Sequence, residues 1–168
     1  MRALFLDTSF TLALEDADDQ YHREAATHWR AYQQRPQPLV STAYVFAETL
    51  TVIRKRLDHA RAMAVAKRLR TSPLVTLLPV DLPDFEAGLA WFERYHDKDF
   101  SFTDCVSFAV MKRLGLKTAL TFDHHFVQSG LSACRSLPSS RFIYSAPACP
   151  PPAPRPSWPP IARGARGR

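Results

Sequence analysis

The chain opens with a short apolar run, Ala3-Leu4-Phe5-Leu6, that stops at the carboxylate of Asp7. A run of this length that ends at a polar residue predicts a buried β-strand. Further short apolar segments at 39–41, 74–80 and 117–122 are also predicted to be strands. Strands that alternate with helices along a chain pair in parallel and are covered by helices on both faces. The sequence therefore predicts an α/β fold, a three-layer α/β/α sandwich around a central parallel sheet.

Helical segments are predicted between these strands. They cover about residues 20–33, 42–56, 58–70 and 102–114, with another beginning near Pro83 and a short apolar turn or helix start at 11–14. Thr42 can cap the second of them, and Gly115 is typical of a residue that ends a helix. The second helix carries an apolar stripe at spacings of three and four, which predicts a core-facing side. The stripe consists of Phe46, Leu50, Ile53 and Leu57.

The composition indicates one globular domain with a hydrophobic core. The chain has 168 residues, of which 46% are apolar and 11% aromatic, and a domain of this size buries roughly two-thirds of its unfolded surface. No run of 18 apolar residues occurs, which excludes a spanning helix, and the N-terminal apolar run is too short for a signal peptide. Three cysteines without metal-type spacing, Cys105, Cys134 and Cys149, favour a reducing compartment, and we expect a cytoplasmic protein.

The last part of the chain differs from the rest in composition. All 16 acidic residues lie before position 130, whereas six arginines lie after it, so the tail carries the formal net charge of +6. Nine prolines occur among the 23 residues from 138 to 160, which is incompatible with a helix or an interior strand. We therefore predict a domain at 1–130 and a disordered Pro/Arg-rich tail at 131–168. The tail is either a proline-rich ligand or basic arm, or an unselected extension from a shifted reading frame.

Four acidic residues are predicted to lie near the carboxyl ends of the parallel strands or at the starts of the helices that follow. Asp7 and Asp123 directly follow predicted strands, whereas Glu48 and Asp104 lie near the starts of helices. Sites in such sheets form beyond the carboxyl ends of the strands. Carboxylates that converge there repel one another, and Mg²⁺ or Mn²⁺, which prefer hard oxygen ligands, would offset the repulsion. Two such ions can clamp the attacking and leaving oxygens of a phosphodiester, so the pattern is typical of a nuclease.

Each of these carboxylates also has a purely structural interpretation. Asp7 can cap the turn after its strand. Ser101 and Asp104 have the spacing of a capping box, which would only fix the start of a helix. Glu48 can be a solvated helix residue, and Asp123 can be a turn residue. Taken one at a time, these residues are weak evidence for a site.

Four segments together resemble the PIN domain family. They are Phe5-Leu6-Asp7-Thr8-Ser9, Ala47-Glu48-Thr49, Ser101-Phe102-Thr103-Asp104 and Thr121-Phe122-Asp123-His124-His125-Phe126. They occur in that family's order and at its usual intervals, and the resemblance spans about residues 1–130. It implies an α/β/α sandwich and a metal-dependent ribonuclease, and many small members are VapC-type toxins of bacterial toxin–antitoxin pairs.

The resemblance also implies roles for the matching residues. The metal-site and catalytic residues would be Asp7, Glu48, Asp104 and Asp123. The first and third would hold the principal ion, Mg²⁺ or alternatively Mn²⁺, and the other two would orient water or a second ion. Thr8 and Ser101 match polar positions that support the carboxylates. The implied partners are an RNA substrate, a cognate antitoxin and a second copy of the chain in a homodimer, with no membrane.

The sequence departs from the family pattern after Phe126. The resemblance implies a short closing stretch with a last edge strand, but the composition changes soon after Ser129-Gly130-Leu131. The final strand is therefore expected to be missing or replaced. Such a loss would affect stability and partner binding more than the four carboxylates.

A cluster of basic residues lies between positions 54 and 70, opposed by one acid, Asp58. It is either a solvated helical face or a track for the RNA backbone beside the acidic site. Its members are Arg54, Lys55, Arg56, Arg61, Lys67, Arg68 and Arg70.

The remaining candidate residues have weaker assignments. His124 and His125 can contact phosphate or accept a proton, although a metal-activated water needs no histidine base. Asp97 and Asp99 either add negative charge at the mouth of the site or are solvated. Cys105 is expected to be a buried thiol.

Two other function classes compete with the nuclease. One is a PIN-like module that binds antitoxin or RNA without turnover. The other is a phosphatase of the haloacid dehalogenase type, suggested by Asp7 after the first strand. It is disfavoured because that family needs a second aspartate two residues later, where this chain has Ser9.

Overall fold

A computed structural model of the protein describes residues 3–130 and, for the backbone alone, residues 132–133. Strands and helices alternate along this part of the chain. The elements are β1 (Leu4–Leu6), α1 (Thr8–Glu15), α2 (His22–Gln34), β2 (Leu39–Thr42), α3 (Ala43–Arg56), α4 (His59–Thr71), β3 (Val75–Leu78), α5 (Leu82–Arg94), α6 (Phe102–Arg113), β4 (Thr118–Leu120), α7 (His125–Gln128) and β5 (Ser132–Ala133).

All five strands pair in parallel, in the order β3-β2-β1-β4-β5. Strand β1 is central, and Phe5 is in register with Val40 of β2 on one side and with Ala119 of β4 on the other. The chain therefore builds one half of the sheet outward from β1 and then crosses over to build the other half. The strand order reverses between β1 and β4, and sheets of this kind have a crevice at that point, outside the carboxyl ends of the strands.

Helices cover both faces of the sheet, as the sequence predicted. Phe5 and Leu6 are adjacent in β1 and point to opposite faces, because side chains alternate along a strand. Phe5 packs with buried residues of α3, α6 and α7, whereas Leu6 packs with residues of α1 and α2. The result is the predicted three-layer α/β/α sandwich.

The first helix is longer than the turn or helix start predicted at 11–14. Asp7 has extended backbone, with φ −101° and ψ 161°, and its side chain accepts a hydrogen bond from the backbone N–H of Ser9. This cap starts α1 immediately after β1. Thr42 caps α3 in the same way, as predicted, by accepting from Val45 N at 3.2 Å.

Strand β4 is shorter than the segment predicted at 117–122, because the chain leaves the sheet after Leu120. The backbone N–H groups of Phe122 and Asp123 donate to the hydroxyls of Ser9 and Thr121 instead of to a neighbouring strand. Side chains near the site thus end the strand.

The stripe predicted on α3 is partly buried. Ile53 is fully buried and packs with Leu50 and Leu57 against residues of α1 and α4. Phe46 is only half-buried. Cys105 is a fully buried thiol, as predicted.

The edge strand that the family resemblance implies is present as β5, so the expectation that it is missing is wrong. Thr118 of β4 is in register with Ser132, and Ala119 with Ala133. The predictions for the rest of the tail, with Cys134 and Cys149, lie outside the described residues. None of the helices in the described part of the chain has both the length and the apolar character needed to cross a membrane.

Helices α5 and α6 pack closely enough to require a glycine. A Cβ placed on Gly88 would lie 2.5 Å from Cγ2 of Val106 and 3.0 Å from its Cα. The same two helices are joined by a bidentate ion pair in which Arg113 donates to both oxygens of Asp84 at 2.7 Å, and the Asp84 carboxylate is buried.

We expect Gly88→Ala to lower the melting temperature. The added methyl forces the two helix backbones apart, which costs about 1–3 kcal/mol and outweighs the roughly 1 kcal/mol that alanine gains in helix propensity. Thermal denaturation of Gly88→Ala, Val106→Ala and the double variant measures the coupling. The double variant should lose less stability than the sum of the single changes, and simple additivity would contradict this packing argument.

Candidate active site

The four carboxylates predicted from the sequence converge at the crevice beyond β1 and β4. Asp7 directly follows β1, and Asp123 lies three residues after β4. Glu48 lies in the first half of α3, and Asp104 lies in the first turn of α6. The charge of Asp104 acts on Asp7 and on Glu48, and that of Asp123 acts on Glu48 and on Asp104. The fold thus brings together acids that are up to 116 positions apart in the chain.

Asp7 is held by a set of hydroxyl and amide donors. Its Oδ2 accepts from Ser9 Oγ at 2.6 Å, from Thr121 Oγ1 at 2.9 Å and from the backbone N–H of Ser9 at 3.1 Å. The side chain is 5% exposed. All three donors converge on Oδ2, so within residues 3–130 the other oxygen, Oδ1, accepts no hydrogen bond and is left for a further partner.

Glu48 is oriented by two threonines. The Thr8 hydroxyl donates to Glu48 Oε2 at 2.7 Å, and the Thr49 hydroxyl donates to Thr8 at 3.1 Å. Both threonines are buried. Thr8 therefore supports a carboxylate, as the family resemblance implied.

Asp104 and Ser101 form the capping box that their spacing predicted. The Ser101 hydroxyl accepts from Asp104 N at 3.1 Å, and Asp104 Oδ2 accepts from Ser101 N at 2.9 Å. The structural role is real, and it also fixes the carboxylate at the crevice. Asp104 thus caps α6 and belongs to the acidic cluster at the same time.

His125 lies between two members of the cluster. Its Nδ1 is 3.5 Å from Asp104 Oδ2 and 3.3 Å from Asp123 Oδ1, and its ring packs edge-on against Phe100. This nitrogen is buried and has no hydrogen-bond partner in the part of the chain that the structure describes. His124, in contrast, has a side chain that is 63% exposed.

Burial and mutual repulsion disfavour the charged forms of these acids. Burial raises the pKa of Asp7 from 3.8 to about 6, against the lowering effect of its hydroxyl donors, and the charge of Asp104 adds to the rise. Burial is also the main cause of the raised pKa of Glu48 and of Asp104. A cation bound at the crevice would favour the charged forms, because opposite charge lowers the pKa of a carboxyl group.

The donor atoms fit a divalent cation. The cluster offers carboxylate oxygens, which hard cations prefer, and the buried Nδ1 of His125 lies 3.5 Å from Asp104 Oδ2 and 3.3 Å from Asp123 Oδ1. Within the described residues, ligand atoms of Asp123, His124 and His125 also lie within 4.8 Å of one another. The carboxylate cluster is the better cation site, because Asp7 and Asp104 are buried whereas His124 is largely exposed. Asp123 belongs to both arrangements.

Comparison with a family model gives the family of the chain. A model of the PIN domain matches residues 4–130. The chain belongs to the PIN domain family. The match covers β1 through α7 and includes all four carboxylates.

Individual PIN proteins resemble the chain over most of their length. The 23S rRNA-specific endonuclease VapC20 of Mycobacterium tuberculosis is 35% identical over 133 residues, which are 79% of this chain and 98% of that protein. The crystal structure of VapC20, a Sarcin-Ricin loop cleaving toxin, superposes with a TM-score of 0.71 at 32% identity and covers 77% of this chain and 96% of VapC20.

Two more distant structures share the fold. FitAcB from Neisseria gonorrhoeae has a TM-score of 0.54 at 18% identity, with 77% of this chain and 95% of that chain covered. A toxin–antitoxin complex from Klebsiella pneumoniae has a TM-score of 0.51 at 15% identity, with 72% and 87% covered.

Sequence reasoning missed three residues of this PIN site. Ser9 and Thr121 lie in the matching segments, but the sequence alone does not indicate that their hydroxyls donate hydrogen bonds to Asp7. His125 was considered only as a phosphate contact or a base, and its position between two carboxylates was not expected. The available signal was that all three lie within two residues of Asp7 or Asp123 in the quoted segments.

Part of the basic cluster at 54–70 binds acids of the same chain. Arg56 pairs with Asp16 and Asp19, and Arg61 and Arg68 both pair with Glu15. These three arginines tie α3 and α4 to α1 and to the loop that follows it. Arg54, Lys55, Lys67 and Arg70 are exposed.

Asp7 is expected to make the metal-free protein less stable as the pH rises from about 4 to about 6. Its pKa is raised in the folded state, so the folded state binds more protons than the unfolded state in this window, and stability falls with pH. The full effect is on the order of 2–3 kcal/mol. Thermal denaturation in EDTA should show that wild type loses stability relative to Asp7→Asn across the window.

An exposed acid of the same charge provides the control. Glu86→Gln, on the exposed side of α5, should run parallel to wild type. A constant difference between wild type and Asp7→Asn from pH 4 to 7 would contradict the predicted effect of Asp7.

Proposed function

We propose that the chain is a metal-dependent endoribonuclease, a VapC-type toxin of a type II toxin–antitoxin pair that hydrolyses RNA phosphodiester bonds. The observation that carries the proposal is the convergence of Asp7, Glu48, Asp104 and Asp123 at the carboxyl edge of the sheet. The similarity to VapC20 over 98% of that endonuclease supports it. An RNA substrate inside the cell implies a cytoplasmic location.

In this proposal Asp7 and Asp104 bind the principal ion, with Mg²⁺ preferred and Mn²⁺ as the alternative. Glu48 and Asp123 complete the site and orient water or a second ion. When bound, such a cation lowers the pKa of water and stabilises charge on the phosphate.

Hydroxyl and backbone N–H donors fix the orientation of the acids before substrate arrives. The Thr8 hydroxyl holds Glu48, the Ser9 and Thr121 hydroxyls hold Asp7, and the backbone N–H of Ser101 holds the Asp104 carboxylate. Hydrogen bonds to a metal-binding carboxylate determine the direction in which its oxygens face the ion. Acids that are already oriented can therefore bind the ion without rearranging. Hydrolysis with the attacking water opposite the ribose 3′-oxygen would leave a 5′-phosphate and a 3′-hydroxyl.

The proposed macromolecular partners are an RNA substrate and an antitoxin protein. The antitoxin is supported by the shared fold with a toxin–antitoxin complex. RNA as the substrate class is supported by VapC20, a 23S rRNA-specific endonuclease. A homodimer stays a prediction, with Leu82 and Phe92 of α5 as exposed apolar side chains that it could cover.

Asp7→Asn and Asp104→Asn are expected to abolish cleavage of labelled RNA, with a loss of at least about 100-fold. Asparagine retains an oxygen that accepts the hydrogen bonds of Ser9 or Ser101, so the helix caps survive, and removal of one charge relieves repulsion. The assay uses the full chain with Mg²⁺, with Mn²⁺ and with EDTA. Glu86→Gln is the control and should cleave like wild type.

The same assay separates the nuclease from an inactive binding module. Metal-dependent cleavage by wild type that is lost in both asparagine variants supports the proposal. A well-folded wild type that binds RNA or antitoxin but cuts nothing, with either metal, would replace the nuclease with the binding module.

A divalent cation is expected to raise the melting temperature of wild type at pH 7.5. Binding to the folded state alone contributes about 2.7 kcal/mol when the ion is at 100 times its dissociation constant. The shift should fall sharply in Asp104→Asn and stay unchanged in Glu86→Gln. Equal shifts in all three proteins would place the ion away from the carboxylates.

A further inference from the structure

A cavity of about 360 Å³ adjoins the acidic cluster on the side of Asp123. It lies between the loop that joins α1 to α2, here called the α1–α2 loop (residues 16–21), and the segment 122–125 that follows β4. Its size is within the roughly 300–1,000 Å³ of small-molecule pockets. Asp123 and His125 belong both to the cavity wall and to the acidic cluster, so the cavity and the site form one continuous surface.

The α1–α2 loop is held rigidly in place. Asp16 Oδ1 accepts from the backbone N–H of Asp18 at 3.1 Å, and Asp19 Oδ1 accepts from that of Tyr21 at 2.9 Å. The other oxygens of Asp16 and Asp19 pair with Arg56 of α3 at 3.0 and 3.3 Å. The loop is therefore preorganised, and Arg56 compensates the negative charge that Asp19 brings to the cavity wall.

Aromatic side chains line both segments. Tyr21 stacks on Phe122 with ring centroids 4.7 Å apart and an interplanar angle of 2°, and Phe122 stacks in turn on Phe10 at 5.7 Å. This column fixes the Tyr21 ring at the cavity. His124, with a side chain that is 63% exposed, supplies a second flat ring. Flat rings of this kind bind unstacked nucleobases.

Gln20 adds a polar group with free hydrogen-bonding capacity. It lines the cavity and is exposed. Its side-chain amide has no hydrogen-bond partner among the described residues. A glutamine amide offers one acceptor and two donors, which matches the donor–acceptor edge of a base. The cavity therefore combines rings for stacking with an amide for discrimination.

We infer that this cavity binds the nucleobase of the RNA nucleotide next to the scissile phosphate, and that Gln20 discriminates between bases there. The inference rests on the proposed function. A base is joined to its phosphate through one ribose, so a phosphate at the four carboxylates brings a neighbouring base to the adjoining wall. An RNA base fits better than a charged peptide side chain, because Arg56 already pairs with Asp19 of the wall and the walls present the rings of Tyr21, Phe122 and His124 for stacking.

Photo-crosslinking tests the location without any need for cleavage. Full-length Asp7→Asn, which is expected not to cleave, is irradiated in Mg²⁺ with single-stranded RNA that contains 4-thiouridine at one position per oligonucleotide, and mass spectrometry maps the crosslinked residues. We expect crosslinks at Tyr21 or His124 for one position of the RNA. Crosslinks confined to α3 and α4, or to the exposed apolar side chains Leu82 and Phe92 of α5, would overturn the inference.

Cleavage of a randomised RNA library tests the role of Gln20. Gln20→Ala and the isosteric Gln20→Glu should change the base preference at one position beside the cut by about tenfold, while metal dependence is retained. Gln34→Ala, an exposed glutamine at the end of α2, is the matched control. Unchanged preferences in both Gln20 variants would overturn the inference.

The two experiments distinguish failure of the inference from failure of the proposed function. If wild type does not cleave RNA in any metal, the nuclease proposal fails, and the crosslinking map still decides whether the cavity binds a base. If wild type cleaves but the map and the preferences exclude the cavity, only the inference fails.

Discussion

Mutual repulsion of buried carboxylates is the constraint around which this site is built. Asp7, Glu48 and Asp104 all have raised pKa values, first because they are buried and then because they face one another or Asp123. A protein tolerates this arrangement only if other interactions hold the acids in place. Here hydroxyl groups do so, from Ser9 and Thr121 on one acid and from Thr8 on another. These hydrogen bonds reach Oδ2 of Asp7 and Oε2 of Glu48. A cation that binds the other carboxylate oxygens would relieve the repulsion between the acids.

The capping and catalytic interpretations of these residues are compatible. Asp7 starts α1 and Asp104 starts α6, and each carboxylate uses one oxygen for the cap. A helix start is therefore a means of aiming a carboxylate at the edge of the sheet, because the cap fixes both the backbone and the side-chain rotamer. The parallel sheet supplies the rest, since it sends β1 and β4 to the same edge. Each local structural role thus strengthens the case for a shared site.

The sequence predicted those features that depend on neighbours in the chain. The three-layer sandwich follows from short apolar runs that alternate with helical segments, and the caps of α3 and α6 follow from Thr42 and from the spacing of Ser101 and Asp104. The hydrogen bond from Thr121 to Asp7 spans 114 positions, and no local pattern indicates it. For the same reason the early end of β4 was missed, because the groups that end it come from Ser9 and Thr121.

Long-range pairing also changes the meaning of the basic cluster. From sequence alone, seven cations against one acid were either a solvated helical face or a track for RNA, whereas in the structure Arg56, Arg61 and Arg68 pair with Glu15, Asp16 and Asp19. Phosphate contacts provide affinity without sequence information, and these three arginines are already engaged in holding α1 and its loop. If the proposed ribonuclease function holds, these paired arginines contribute less to binding the RNA backbone, and selection of a cleavage site would depend more on base contacts close to the carboxylates. Arg56 contributes to those contacts indirectly, because it fixes the α1–α2 loop beside the cavity that adjoins Asp123.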